Sequence, residues 1–133
     1  MAALNRPVAK PPRPVYLNLI AIRLPLPALI SILHRASGAL LFVLGIPLLL
    51  WGIQSSLASP DAYAQFRTTL AHPLAKLIAL ALAWAYIHHV LAGLRHLVLD
   101  LDIGTDLASA RRSSAVVFVL ALALTAGVAI RLW

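Results

Sequence analysis

The chain of 133 residues is 62% hydrophobic and only 11% charged, with no cysteine and a mean hydropathy of +0.91. A soluble domain is roughly half apolar and about a quarter charged, so this composition excludes an ordinary soluble core, disorder, a disulfide scaffold and a zinc–cysteine site. Eleven Lys and Arg against four acids give a formal charge of +7, which would point to nucleic acid in a soluble protein. Here the basic residues take their meaning from where they fall relative to the apolar runs.

The N-terminal tail carries Pro7, Pro11, Pro12 and Pro14, and prolines that close together favour an extended chain over a helix. No cleavable signal peptide is expected, because the first long apolar run starts late and is itself long enough to span a bilayer. The tail also lacks the Ser- and Arg-rich amphipathic character of a mitochondrial presequence, which favours a bacterial chain. A helix needs about 20 apolar residues to cross a hydrocarbon core, and three stretches meet that length, about 28–53, 74–99 and 114–133. Pro25 and Pro27 precede the first, where a missing N–H is harmless, and Pro47 inside it predicts a bend. Ser59-Pro60-Asp61 reads as an N-cap with Pro at N1, which predicts a short interfacial helix over 60–70. Residues 104–109 are expected to form the second turn, and no internal repeat is visible. The expected fold is all-α: an integral membrane protein of one domain, 1–133, whose three transmembrane helices run up-down-up after an N-terminal segment, 1–27.

Counting Lys and Arg outside and at the ends of the spans gives the orientation. The N-terminal side has Arg6, Lys10, Arg13, Arg23 and Arg35, and the second loop has Arg95, Arg111 and Arg112. Opposite them are Arg67, Lys76 and Arg131. Eight against three places the N-terminus in the cytoplasm and the C-terminus outside. The basic surplus then reads as a topology signal and an attraction to anionic lipid or an acidic partner, and nucleic acid is not needed to explain it.

Ionisable residues inside a span are expensive and default to a functional reading. Ser31, His34, Arg35 and Gly38 fall within roughly a 100° arc of one helix. Arg35 lies near enough to the end of the span to snorkel, which explains it alone but not its companions. His89, Gly93, His96 and Asp100 fall within about 60°, and His89 sits about 16 Å from Asp100 along the axis, near mid-membrane. A mid-depth imidazole with a glycine one turn away suits a haem, the Nε2 ligating iron and the missing side chain making room for the ring. An interhelical hydrogen bond that merely satisfies the imidazole is the alternative. His34 is closer to the surface by roughly 7 Å, so a second axial ligand is expected from another chain. His88 points about 100° away from His89. His72, before Pro73, reads as an ordinary interfacial residue.

Arg13-Pro14 with Leu17, Ser31-Ile32-Leu33-His34-Arg35 with Ser37-Gly38, and His89-x3-Gly93-x-Arg95-His96-x3-Asp100 together resemble the cytochrome b556 family of succinate dehydrogenase, the larger membrane anchor of respiratory complex II. The resemblance covers nearly the whole chain, and the two motifs in this order are far more specific than either alone. It implies that His89 is the axial ligand of a haem b shared with a second, smaller anchor subunit. That subunit would supply the other axial His and the helices that complete the bundle. It implies that Ser31 and Arg35 bind ubiquinone near the iron–sulfur subunit, and that His34, Arg35 and Arg95 lie near the haem propionates. A flavoprotein subunit and membrane lipid complete the expected partners, in a bacterial cytoplasmic membrane. The chain would be a subunit of succinate:quinone oxidoreductase with no catalytic residue acting alone. Its electrons would arrive from an iron–sulfur cluster, and Ser31 and Arg35 would stabilise charge developing on the quinone oxygens. A haem-free quinone-binding anchor and a fumarate reductase anchor are the alternatives. A small transporter is disfavoured, because Asp61, Asp100, Asp102 and Asp106 all lie in or beside loops.

Overall fold

The computed structural model describes residues 22–133 and, among them, consists of helices joined by short turns, with no strand. The proline-rich tail and the Arg13-Pro14 element lie outside the described residues. Helix α1 spans Leu26–Leu40, a π turn Leu41–Gly45, α2 Ile46–Leu57, α3 Pro60–Ala71, α4 Pro73–Asp100 and α5 Leu107–Leu132. Three helical stretches, Leu26–Leu57, Pro73–Asp100 and Leu107–Leu132, are long and apolar enough to cross a membrane.

The helix ends follow the residues that punctuate them. Pro25 caps α1 with Pro27 in its first turn. Ser59 caps α3 by accepting the Ala62 N–H at 3.0 Å, and His72 caps α4, its Nδ1 accepting the Leu74 N–H at 3.3 Å. Pro47 has no N–H to give to the carbonyl four residues back. The chain meets this with the π turn immediately before it, where the Ile46 N–H reaches the Leu41 carbonyl five residues back. Where the sequence predicts a bend at Pro47, the structure shows a change of helical pitch just before it.

One turn differs from expectation. The turn before α5 occupies 101–106, not 104–109, and carries the left-handed residues Asp102 (φ 59) and Gly104 (φ 72). Asp106 starts α5 early because its carboxylate accepts the N–H groups of Ala108 and Ser109, both at 3.0 Å. The first turns of α5 are polar for that reason, and the helix outruns its apolar segment.

Helix α4 lies between α1 and α5. Small residues on its inner face, Ala85 and Ala92, are fully buried and let the neighbouring backbones approach. Ile30 of α1, Ala92 of α4 and Val117 of α5 form the shared core, flanked by Leu26, Leu91 and Phe118. Most other large apolar side chains of the three long helices face outward, as a lipid-facing or partner-facing surface requires.

Candidate functional site

The polar side chains of α1 and α4 converge on one seam. The His34 and His89 rings stack with centroids 4.2 Å apart and 17° between their planes. His96 joins them at 5.2 Å from His34, tilted by 44°. The spacing along the sequence offsets His34 and His89 by about one helical turn in depth, and their side chains bridge that offset to meet.

Two glycines make the contact possible. A Cβ on Gly38 would lie 2.8 Å from His89 Cε1, and one on Gly93 would lie 3.4 Å from His34 Nε2. Each helix thus presents a His and, four residues on, a Gly, and each His lies over the Gly of the opposite helix. Gly93, read from the sequence as room for a macrocycle beside His89, here accommodates His34. The glycine that accommodates His89 is Gly38. This reciprocity was open to inspection, since His34-x3-Gly38 and His89-x3-Gly93 share one spacing, but pairing them requires the antiparallel register of α1 and α4.

His89 is anchored through one nitrogen. Its Nδ1 lies 3.0 Å from the His34 carbonyl oxygen and 3.3 Å from Ser37 Oγ, and Ser37 Oγ donates to the same carbonyl at 2.9 Å. A carbonyl cannot donate, so Nδ1 carries the hydrogen, and in the neutral imidazole Nε2 then carries the lone pair. The interhelical hydrogen bond of the alternative reading is therefore present, but it occupies one nitrogen only. A bond of this type from the far nitrogen orients an imidazole toward a metal.

His88 behaves differently. It is fully buried at 0% exposure, stacks on Trp84 with centroids 5.3 Å apart, and neither ring nitrogen has a hydrogen-bond partner. A ring enclosed by its own chain has no open side to offer a ligand, whereas the half-buried His89 has one.

Ser31 is half-buried and Arg35 is exposed on α1, and no hydrogen bond joins them. Arg95, 8% exposed, follows His88 at seven residues and so shares its face of α4. Its Nε donates to Ser113 Oγ at 3.0 Å and its guanidinium to the Ala110 carbonyl at 3.3 Å, both on α5. Its tether role was not apparent from sequence, because Ser113 is an unremarkable residue until α5 is packed. Among the described residues no group of three His, Asp or Glu side chains could hold a bare metal ion. A groove at Gln65, Thr68 and His72 lies between α3 and the start of α4, far along α4 from the histidines.

The sequence model of the succinate dehydrogenase/fumarate reductase transmembrane subunit matches residues 9–128. The chain is 38% identical over 102 residues to a succinate dehydrogenase cytochrome b556 subunit of Paracoccus denitrificans, covering 77% of this chain and 78% of that one. It is 35% identical over 108 residues to the subunit of the same name from Coxiella burnetii, covering 80% and 86%. A match over nearly the full length, three apolar helices and a histidine seam between two of them lead to one conclusion: the chain belongs to the succinate dehydrogenase/fumarate reductase transmembrane subunit family.

Proposed function

We propose that the chain is the cytochrome b subunit that anchors succinate dehydrogenase, binds haem b through His89 and forms part of the ubiquinone-reduction site. The observation that carries this reading is the single-sided anchoring of His89, with Nδ1 on the His34 carbonyl and Nε2 left as the donor atom. Bound there, a b-type haem supplies one-electron storage beside the quinone site. His34, its ring face to face with that of His89 at 4.2 Å, would not serve as a second ligand beside it. A second ligand would have to come from the partner anchor subunit.

The residues of this chain act as follows. The His34 carbonyl and Ser37 hold the His89 ring, and Gly38 lets it lie against α1. Arg35, exposed beside His34, and His34 itself are the groups for the haem propionates. Arg95 supports this arrangement by holding α4 against Ser113 and Ala110 of α5. Ser31 donates to a quinone carbonyl and Arg35 stabilises charge developing on that oxygen. Both lie on the cytoplasmic side by the excess of Lys and Arg there, where the iron–sulfur and flavoprotein subunits dock in a bacterial cytoplasmic membrane.

The test is the reduced-minus-oxidised spectrum of the complex purified with its partners. A low-spin b-type signal that disappears in His89→Ala supports the haem assignment, and a signal unaltered by that change removes it. A complex that reduces quinone with no such signal is the haem-free anchor. Ser31→Ala is expected to raise the quinone KM while leaving the haem spectrum unchanged.

A further inference from the structure

The seam between α1 and α4 is built from two short segments with the same spacing, His34-Arg35-Ala36-Ser37-Gly38 and His89-Val90-Leu91-Ala92-Gly93. Running antiparallel, they are related by an approximate local two-fold axis, each His over the other's Gly. The equivalence fails at the residue before the glycine. That position is Ser37 on α1, 2% exposed, and Ala92 on α4, fully buried.

The difference has a chemical consequence for only one of the two rings. The Ser37 hydroxyl has one hydrogen, and it goes to the His34 carbonyl at 2.9 Å. That leaves the Oγ lone pairs facing His89 Nδ1 at 3.3 Å, beside the carbonyl that receives the His89 N–H at 3.0 Å. Two oxygens converge on one N–H, and the carbonyl is shared between the hydroxyl and the imidazole. A helical serine often bonds back to a carbonyl of the preceding turn with no further role. Ser37 departs from that pattern because the carbonyl it uses also orients a ring on another helix.

We propose that Ser37 is a positioning residue for His89, its hydroxyl holding the Nδ1–H tautomer and moderating the bond from Nδ1 to the His34 carbonyl. This rests on the reading of His89 as the haem ligand. The physical link is donor strength. Removing the Ser37 hydroxyl frees the carbonyl to accept more strongly from the His89 N–H and takes away the second oxygen facing that N–H, so the basicity of Nε2, and with it the balance between ferric and ferrous iron, changes.

The experiment uses the assembled membrane complex carrying Ser37→Ala, Ser37→Cys or Ser37→Thr. Haem content is read from the reduced-minus-oxidised spectrum, the midpoint potential from a redox titration, and the low-spin g values by electron paramagnetic resonance. Ser37→Ala is expected to keep its haem, shift the midpoint potential and displace the g values. Ser37→Thr, which retains the hydroxyl, should restore both. If Ser37→Ala fails to assemble, Ser37→Cys, a weak donor of similar size, should show the same shift. Wild-type potential and g values in the Ala or Cys variant overturn the proposal, as does an equal shift in Ser37→Thr. Failure of the underlying assignment looks different: no haem signal in the wild-type complex, or one that survives His89→Ala.

Discussion

The carbonyl of His34 holds the ring of His89 at 3.0 Å while the two imidazoles stack at 4.2 Å. One residue of α1 thus meets the same α4 histidine through both its backbone and its side chain. The two contacts have separate consequences. Removing the His34 side chain leaves the backbone bond in place, so it should disturb what lies beside His89 more than the orientation of His89 itself.

The adjacent histidines of α4 should separate cleanly in their phenotypes. His88 is buried with both nitrogens unpaired, a situation that costs about 1–3 kcal/mol of desolvation. His88→Leu is expected to leave the haem spectrum intact and the thermal midpoint of the complex equal or raised. His89→Leu is expected to abolish the haem signal. Spectra and melting curves of the two purified complexes check this directly.

Gly38→Ala places a methyl 2.8 Å from His89 Cε1. The ring cannot retreat without lengthening its bond to the His34 carbonyl, and overpacking of this kind costs typically 1–3 kcal/mol. Ala gains about 1 kcal/mol over Gly in a helix interior, which offsets part of that cost. The expected result is a modest loss of thermal stability with a pronounced loss or distortion of the haem spectrum. Gly127, with nothing within 4 Å of the added Cβ, is the control: Gly127→Ala should only stabilise.

Arg95 donates two hydrogen bonds to α5, and bonds to a charged group contribute about 1.5–3 kcal/mol each. Arg95→Met should lower the thermal midpoint by loosening α4 from α5, while the shape of the haem spectrum changes little. Arg95→Lys should rescue only in part, because an ammonium lacks the planar fork that reaches both Ser113 and Ala110. Heat inactivation of the complex, with the spectrum recorded alongside, distinguishes a tether from a propionate contact.

Asp106 caps α5, and its hydrogen bonds from Ser109, with that from Ala108, hold its carboxyl below the usual carboxylate value of 3.8. A carboxylate with a depressed folded-state pKa stabilises fully above its unfolded value and loses that contribution as pH falls through the folded value. Amide exchange at Ala108 and Ser109 should therefore be unchanged, once corrected for intrinsic rate, from neutral pH down to about 4. Protection should fall below that. Asp106→Ala should show the unprotected rate at every pH.

The spans, the interfacial helix and the histidine-bearing faces were legible in the sequence because each is a local pattern: apolar length, a Ser-Pro cap, a spacing of three or four. What was not legible depended on packing between helices. The partnership of His34 with Gly93 and of His89 with Gly38 requires the register of α1 against α4. The destination of Arg95 requires α5. The early start of α5 was a local signal, the Asp106 cap, obscured by the polar residues that follow it. The choice between His88 and His89 rested on a shared face with Gly93. The difference in their surroundings, one ring enclosed and the other anchored at a single nitrogen, again depends on the packing of α4 against its neighbours.

The π turn at Leu41–Gly45 acts on the chain as a one-residue insertion would. Every residue after it is rotated by about 100° relative to an uninterrupted α-helix. That phase shift brings Trp51 edge-on to Phe66 of α3, with centroids 5.6 Å apart at 72°, and sets Gly52 against the rim of the same ring. Deleting a single residue between 41 and 45 would remove that phase shift: it would set the Pro47 ring against the carbonyl of the preceding turn and swing Trp51 away from Phe66. The docking of the short helix is thus encoded upstream of it, in the phase of the helix that precedes it.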